Sequence, residues 1–504
     1  MLFSSGEFLY LFLPISLLGY QFLSRFGRNA LLSWFALISF FFYGYWNPVY
    51  LLLLTGSILL NFGFAWLITR PANSDRARGY RLAAAIVTNL LILGYFKYLF
   101  PFLNFFTRHG IGHYSFGNIF LPLGISFFTF TQIAYLIDLH EGIAVRQGLL
   151  PYSVFVTFFP HLIAGPIIHP REIMPQLSDG RMRRLRANDV ALGLSWFVLG
   201  LTKKVLIADR VAPAANALYA HPEGFGFVAS WLGVFCYAMQ LYFDFSGYSD
   251  MAVGLARMFS IEFPTNFDSP YKSPSVIVFW TRWHMTLSRY IADYLYTPLM
   301  RSVSRIRRNA GKRINRDAQI TPGGFVQIVA YPLLTSMFVA GVWHGANLTF
   351  LVFGLLHGSY LVVNHAWRLL TPEGHKLHNK LPIPAAIFLT FTSVVLGQIF
   401  FRAESINQAL YVLGSLLGRH VGSPWNQSIQ LKSLITLLLC FPIVWLMPNV
   451  QEILGLPTRE PLLQPWYRNL HWRPTLGWSL ILTTALCLSI IELDPGAGFL
   501  YFQF

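Results

Sequence analysis

The chain has 504 residues, 55% of them hydrophobic and 12% charged, with a formal net charge of +16 and a mean hydropathy of +0.50. Water-soluble domains carry about 25% charged residues, so this composition excludes a string of soluble domains and makes lipid part of the solvent. The positive excess fits Lys and Arg kept at the cytoplasmic face, or a site for an anionic ligand such as a nucleotide-bearing cofactor.

A helix needs about 20 apolar residues to cross the hydrocarbon core. Candidate spans in the first part of the chain are 8–26, 30–45, 48–68, 82–105 and 119–137. The first lacks a basic leading region and a cleavage site, so it is expected to stay as a spanning helix rather than a signal peptide. Further candidates are 190–207, 227–243, 325–342, 348–363, 383–401, 431–447 and 476–491. The expected fold class is an all-α polytopic membrane protein of about 11–12 transmembrane helices. No polar stretch is long enough for a soluble domain, so residues 1–504 read as a single membrane-embedded domain.

Basic loops orient these spans. Arg25 and Arg28 follow the first span, and Arg70, Arg76, Arg78 and Arg81 follow the third. Arg181, Arg183, Arg184 and Arg186 form a cluster, and Arg301, Arg305, Arg307, Arg308, Lys312, Arg313 and Arg316 form the largest. All four loops are placed in the cytoplasm, which puts the N-terminus outside. Parity then fails between residues 146 and 181 unless 152–168, interrupted by Pro160, Gly165 and Pro166, is re-entrant and shielded by protein. Residues 244–298 are too polar for a lipid-exposed span, and short tilted or interfacial helices are expected there.

Ionisable groups at membrane depth are costly and default to functional candidates. His344 lies in Val342-Trp343-His344-Gly345 at the end of an uncharged span, and His284 lies in Thr281-Arg282-Trp283-His284-Met285. A buried imidazole stays neutral and can take a proton from a hydroxyl as general base. It can equally be a packing residue bonded across helices. Lys203 and Lys204, close to Asp209, read as snorkelling charges or as binders of a phosphate-bearing donor. Cys236, Cys440 and Cys487 have no C-x-x-C spacing, no histidine set has metal-ligand spacing, and there is no G-x-S-x-G elbow or phosphate loop. No metal site, disulfide framework or serine nucleophile is expected.

Several blocks together resemble the membrane-bound O-acyltransferase (MBOAT) family, in its bacterial alginate O-acetyltransferase-like branch. They are Phe96-Lys97-Tyr98, Phe158-Phe159-Pro160-His161, Asp244-Phe245-Ser246-Gly247-Tyr248-Ser249-Asp250, Asn266-Phe267-Asp268-Ser269-Pro270, the two histidine blocks, Phe400-Phe401-Arg402-Ala403 and the closing Phe499–Phe504. The resemblance implies a ring of spanning helices, with re-entrant and horizontal helices around a central tunnel. It implies that His344 and His284 are the active-site positions; on that reading His344 is expected to act as base, His284 to orient the acyl group or stabilise the oxyanion, and Trp343, Trp283, Asp244 and Lys203 to contact substrate. Asp244 is also a candidate to orient an imidazole. His169 stands where Arg or another polar residue is expected and is given no role.

The implied reaction moves an acetyl group from cytoplasmic acetyl-CoA across the bacterial inner membrane to an exported polysaccharide, alginate-like or cellulose-like. No permanently bound cofactor is implied, and acetyl-CoA is the donor. Implied partners are a periplasmic SGNH-type acetyltransferase or small membrane protein, a polysaccharide synthase or secretion complex and the lipid bilayer, with no nucleic acid. Rival readings are D-alanyl or other acyl transfer to an envelope polymer, a glycan or lipid transporter, and a scaffold of a secretion complex. The absence of an internal repeat and of several paired intramembrane charges weighs against transport.

Overall fold

Backbone polar groups in lipid must be satisfied within the segment, which leaves helices as the simplest solution. The computed structural model follows this rule. It describes residues 1–71, 74–99, 101–103, 107, 121–178, 185–370, 381–423, 429–456, 471–494, 496 and 498–500. Among these the regular elements are helices, with one isolated bridge between Phe225 and Ser423. Arg181, Arg183, Arg184, residues 100 and 104–105 of the expected 82–105 span, residues 119–120 of the expected 119–137 span, and the closing 501–504 lie outside the described residues.

Six described helices are long and apolar enough to cross a membrane: Tyr50–Thr69, Asp75–Leu99, Ala187–Ala220, Pro322–His344, Leu348–Leu370 and Ile383–Arg402. Leu431–Leu446 and Leu476–Ile491 are apolar but shorter. The protein is therefore a helical, multi-pass membrane protein. The expected 190–207 span runs on as far as Ala220, because a π-helical turn at Lys203–Ala208 carries the helix past its polar residues.

One expectation needs correction. Residues 244–258 are not a set of short tilted helices but the second half of a single helix, Phe227–Met258. The polar residues that argued against this are paired: Asp244 with Lys204, Asp250 with the Trp196 indole and Arg257 with Asp189. Beyond Met258 the chain does break into short helices, Val276–Trp280 and Met285–Ile291. The 152–168 stretch is likewise broken, into Leu149–Thr157 and Phe159–Leu162.

The residues form two compact units. The first comprises 1–202, 247–265 and 474–503. Its centre is aromatic: Phe3 packs on Phe8, Phe42 and Tyr248 at 4.6–5.7 Å, and Phe158 and Phe159 pack on Phe259. Polar links tie its helices. Asn61 and Asn89 bond amide to amide, while Gln132 donates to Ser57 and accepts from Tyr152. Such links matter in lipid, where apolar burial alone does not drive helices together.

The second unit comprises 203–246 and 266–473. A helical hairpin dominates it, Tyr331–His344 against Leu348–Leu370. Gly341 and Gly354 face each other so closely that a Cβ on either meets backbone of the other helix, Phe350 O for one and Met337 O for the other. Small residues at a crossing let backbones approach in this way. Gly354→Leu is expected to destabilise the hairpin by about 3 kcal/mol. Size-exclusion in detergent should show loss of the monodisperse peak, and a wild-type profile would refute the close contact.

Candidate active site

The two histidine blocks and Asp244 all fall in the second unit. His344 is the last residue of its helix, where Gly345 ends the regular hydrogen bonding. It is half-buried. Its ring is in contact with Trp343 at 4.7 Å, Phe401 at 4.8 Å and Phe350 and Phe353 at 6.2 Å. Aromatic packing thus fixes the plane of the imidazole at the helix end.

His284 is fully buried and occupies a left-handed conformation, φ 42°, at the N-cap of Met285–Ile291. Non-glycine residues are uncommon there, and such positions persist only where the surroundings enforce them. The enforcing element is the Asn266–Ser269 loop. Asn266 O accepts from Met285 N, and Asp268 holds Arg282 through an ion pair and a backbone bond. Asn449 donates to Asp268 Oδ1 and closes the network.

Asn266 also decides which nitrogen of His284 carries the proton. Its Oδ1 accepts from the backbone N–H and the hydroxyl of Thr286, so that atom is the carbonyl oxygen. The third donor to it, at 3.3 Å, is therefore His284 Nδ1–H. Nε2 keeps the lone pair and is buried with no hydrogen-bond partner among the described residues. Asn266 Nδ2 is likewise buried and unpartnered. His284 thus presents an acceptor at Nε2, and the donor beside it is the Asn266 amide.

Burial pushes the His284 pKa down to about 3, in a turn outside the spanning helices. The folded protein therefore refuses a proton that the unfolded chain accepts near pH 6.5. The unfolded state binds more protons between pH 6.5 and 3, so stability falls as pH drops through that window. Wild type is expected to lose thermal stability below pH 6 more steeply than His284→Gln. Parallel pH profiles of the two would refute this assignment.

Trp283 is buried, stacked with Phe279 and Tyr271 at 5.5 and 6.0 Å and edge to face with Phe267 at 5.1 Å, and Trp343 is buried beside His344. Asp244 does not orient His284, which uses Asn266 instead. Its carboxylate meets Lys204 Nζ at 2.7 Å, and Lys204 meets Asp209 at 2.6 Å. Lys204 is therefore no snorkelling residue, with a side chain 4% exposed. Lys203, the neighbour implied to bind substrate, is half-buried.

No hydrogen bond or ring contact joins His284 to His344 among the described residues. Aromatic rings lie between the two blocks: Phe353 touches His344, His357 touches Phe353, and Trp280 touches His357. Sequence reading missed His357. The available signal was a second histidine within an apolar span, in Leu356-His357-Gly358.

Comparison with known proteins bears on this geometry. The family model described as "MBOAT, membrane-bound O-acyltransferase family" matches residues 31–313, a range that includes His284. The peptidoglycan O-acetyltransferase of Helicobacter pylori is 37% identical over 446 residues, covering 83% of this chain and 80% of its own. The probable alginate O-acetylase AlgI of Pseudomonas aeruginosa is 37% identical over 418 residues, covering 81% and 73%. That of Pseudomonas putida is 34% identical over 533 aligned positions and covers both chains fully.

Proposed function

This chain belongs to the membrane-bound O-acyltransferase family, and from that premise we propose that it moves an acetyl group from acetyl-CoA to a hydroxyl of an exported polysaccharide. The enzyme class, an acyltransferase, follows from family membership. The observation that carries the finer reading is the alignment over about four-fifths of the chain with relatives named for O-acetylation of peptidoglycan and of alginate.

In this reading His344 takes the proton of the acceptor hydroxyl. The oxygen attacks the thioester carbonyl, and the tetrahedral oxyanion collapses with cleavage of the C–S bond. The thiolate leaves with the proton from His344, so ester and free thiol are the products. His284 Nε2, an acceptor, is placed on the path along which the acyl donor reaches His344. Asn266 Nδ2–H is the donor available to the oxyanion, a type of contact worth several kcal/mol in a dry site. Trp343 and Trp283 wall the acyl path, and the Lys204–Asp244 pair holds the helix that carries Phe245 against His284 at 4.7 Å.

The basic residues Arg301, Arg305, Arg308 and Lys312 support a cytoplasmic face, with the protein in the inner membrane and its N-terminus periplasmic. By the same parity His344 lies towards the far side, where a periplasmic partner would receive or complete the transfer.

The test uses protein in lipid nanodiscs with radiolabelled acetyl-CoA and the polysaccharide of the native host. Label incorporated into polymer esters, with release of one thiol per ester, is the expected result. Wild-type protein that releases no thiol, with acceptor and periplasmic partner both supplied, would overturn the donor assignment.

A further inference from the structure

We propose that His357, together with the Trp280 indole, forms a seat for a neutral amide group on the thiol-bearing arm of the acyl donor. The inference rests on the reading that the donor is an acyl-CoA thioester, whose pantetheine arm carries two secondary amides.

His357 is 1% exposed, and neither ring nitrogen has a hydrogen-bond partner among the described residues. The Trp280 Nε1–H is buried and unpartnered in the same way. The two rings meet edge to face at 5.3 Å and 86°. Histidines between membrane helices ordinarily bond across to a neighbour. A buried polar atom left unpaired costs free energy that a Leu or Phe of similar volume would not. The fold nevertheless makes room for this ring. Gly397 faces it, and a Cβ there would stand 2.5 Å from His357 Nε2.

The surroundings select the ligand's chemistry. The other rings on His357 are Phe353 at 4.5 Å and Tyr360 at 5.5 Å, and among the described residues no charged side chain is hydrogen-bonded or ion-paired to it. A phosphate or carboxylate would find no cation. A neutral imidazole offers one donor and one acceptor, and the indole offers one donor. A secondary amide matches that set: its carbonyl takes an N–H, and its own N–H goes to the imidazole lone pair. The seat also lies at a useful place. Phe353, one turn back along the helix, contacts both His357 and His344. Trp280 precedes His284 by four residues. An arm seated here would carry its thioester end towards the two histidines.

The experiment measures equilibrium binding of CoA by calorimetry, and KM and kcat with acetyl-CoA, on wild type, His357→Leu and His357→Gln in nanodiscs. His357→Leu is expected to weaken CoA binding and raise KM about ten-fold, the scale of one lost hydrogen bond, with kcat within three-fold. His357→Gln, which keeps a donor and an acceptor, should recover most of the loss. If His357→Leu does not fold, Gly397→Ala carries the test, because its methyl displaces Nε2, and the same rise in KM is expected. Wild-type binding that His357→Leu or Gly397→Ala leaves within two-fold overturns the seat alone. Wild-type protein that neither binds CoA nor uses acetyl-CoA overturns the donor reading and the seat together.

Discussion

His344→Ala is expected to lower acyl transfer by about 10²–10⁴-fold, the usual contribution of a positioned general base. Loss of fold is not expected to account for this. His344 ends its helix and is half-buried, so truncation removes no intrahelical bond and opens only a partly enclosed space. Its neighbours Trp343, Phe350, Phe353 and Phe401 contact one another independently; Phe401, for example, meets Phe350 at 5.3 Å and Phe353 at 5.0 Å. The measurement is polymer-bound acetyl label per folded enzyme, with the elution profile recorded alongside. A wild-type rate in His344→Ala would remove the residue from the mechanism. A lost rate with an aggregated protein would make it structural.

The largest expected effect on stability comes from Lys204→Met. Lys204 is shared by two carboxylates, Asp209 at 2.6 Å and Asp244 at 2.7 Å, whose side chains are 22% and 2% exposed. Removing the cation leaves Asp244 as a buried charge without this partner. Breaking a buried pair in this way costs about 3–5 kcal/mol. Asp244→Asn is expected to cost less, because Lys204 keeps Asp209. The double variant Lys204→Met/Asp244→Asn should lose less than the sum of the two single variants, as coupled neighbours do. Thermal unfolding in detergent reads all three. Lys204→Met melting at the wild-type temperature would mean that the triad is energetically idle.

The difference between the adjacent lysines marks where sequence reading stops. Both end an apolar stretch, and hydropathy treats them alike. In the π-helical turn at Lys203–Ala208, Lys204 faces inward and Lys203 is half-buried. Asp244, Asp250 and Arg257 made 244–258 look too polar for a long buried helix. Pairing with residues distant in sequence removes that objection, and no local pattern reveals the pairing. His284 shows the same limit. Its motif was legible, but its donor or acceptor character depends on an amide eighteen positions earlier, at Asn266.

Composition by itself determined that lipid is part of the solvent, and hence that the chain is helical and multi-pass, because no other open backbone satisfies its polar groups there. Motif blocks by themselves marked the family and both histidines. Only the tertiary structure decided which nitrogen of His284 carries the proton, which lysine is buried and that His357 sits beside Trp280 with no hydrogen-bond partner among the described residues. Those are properties of contacts between segments. Hydrogen-bond satisfaction and desolvation depend on what faces a group, and a sequence records only what precedes and follows it.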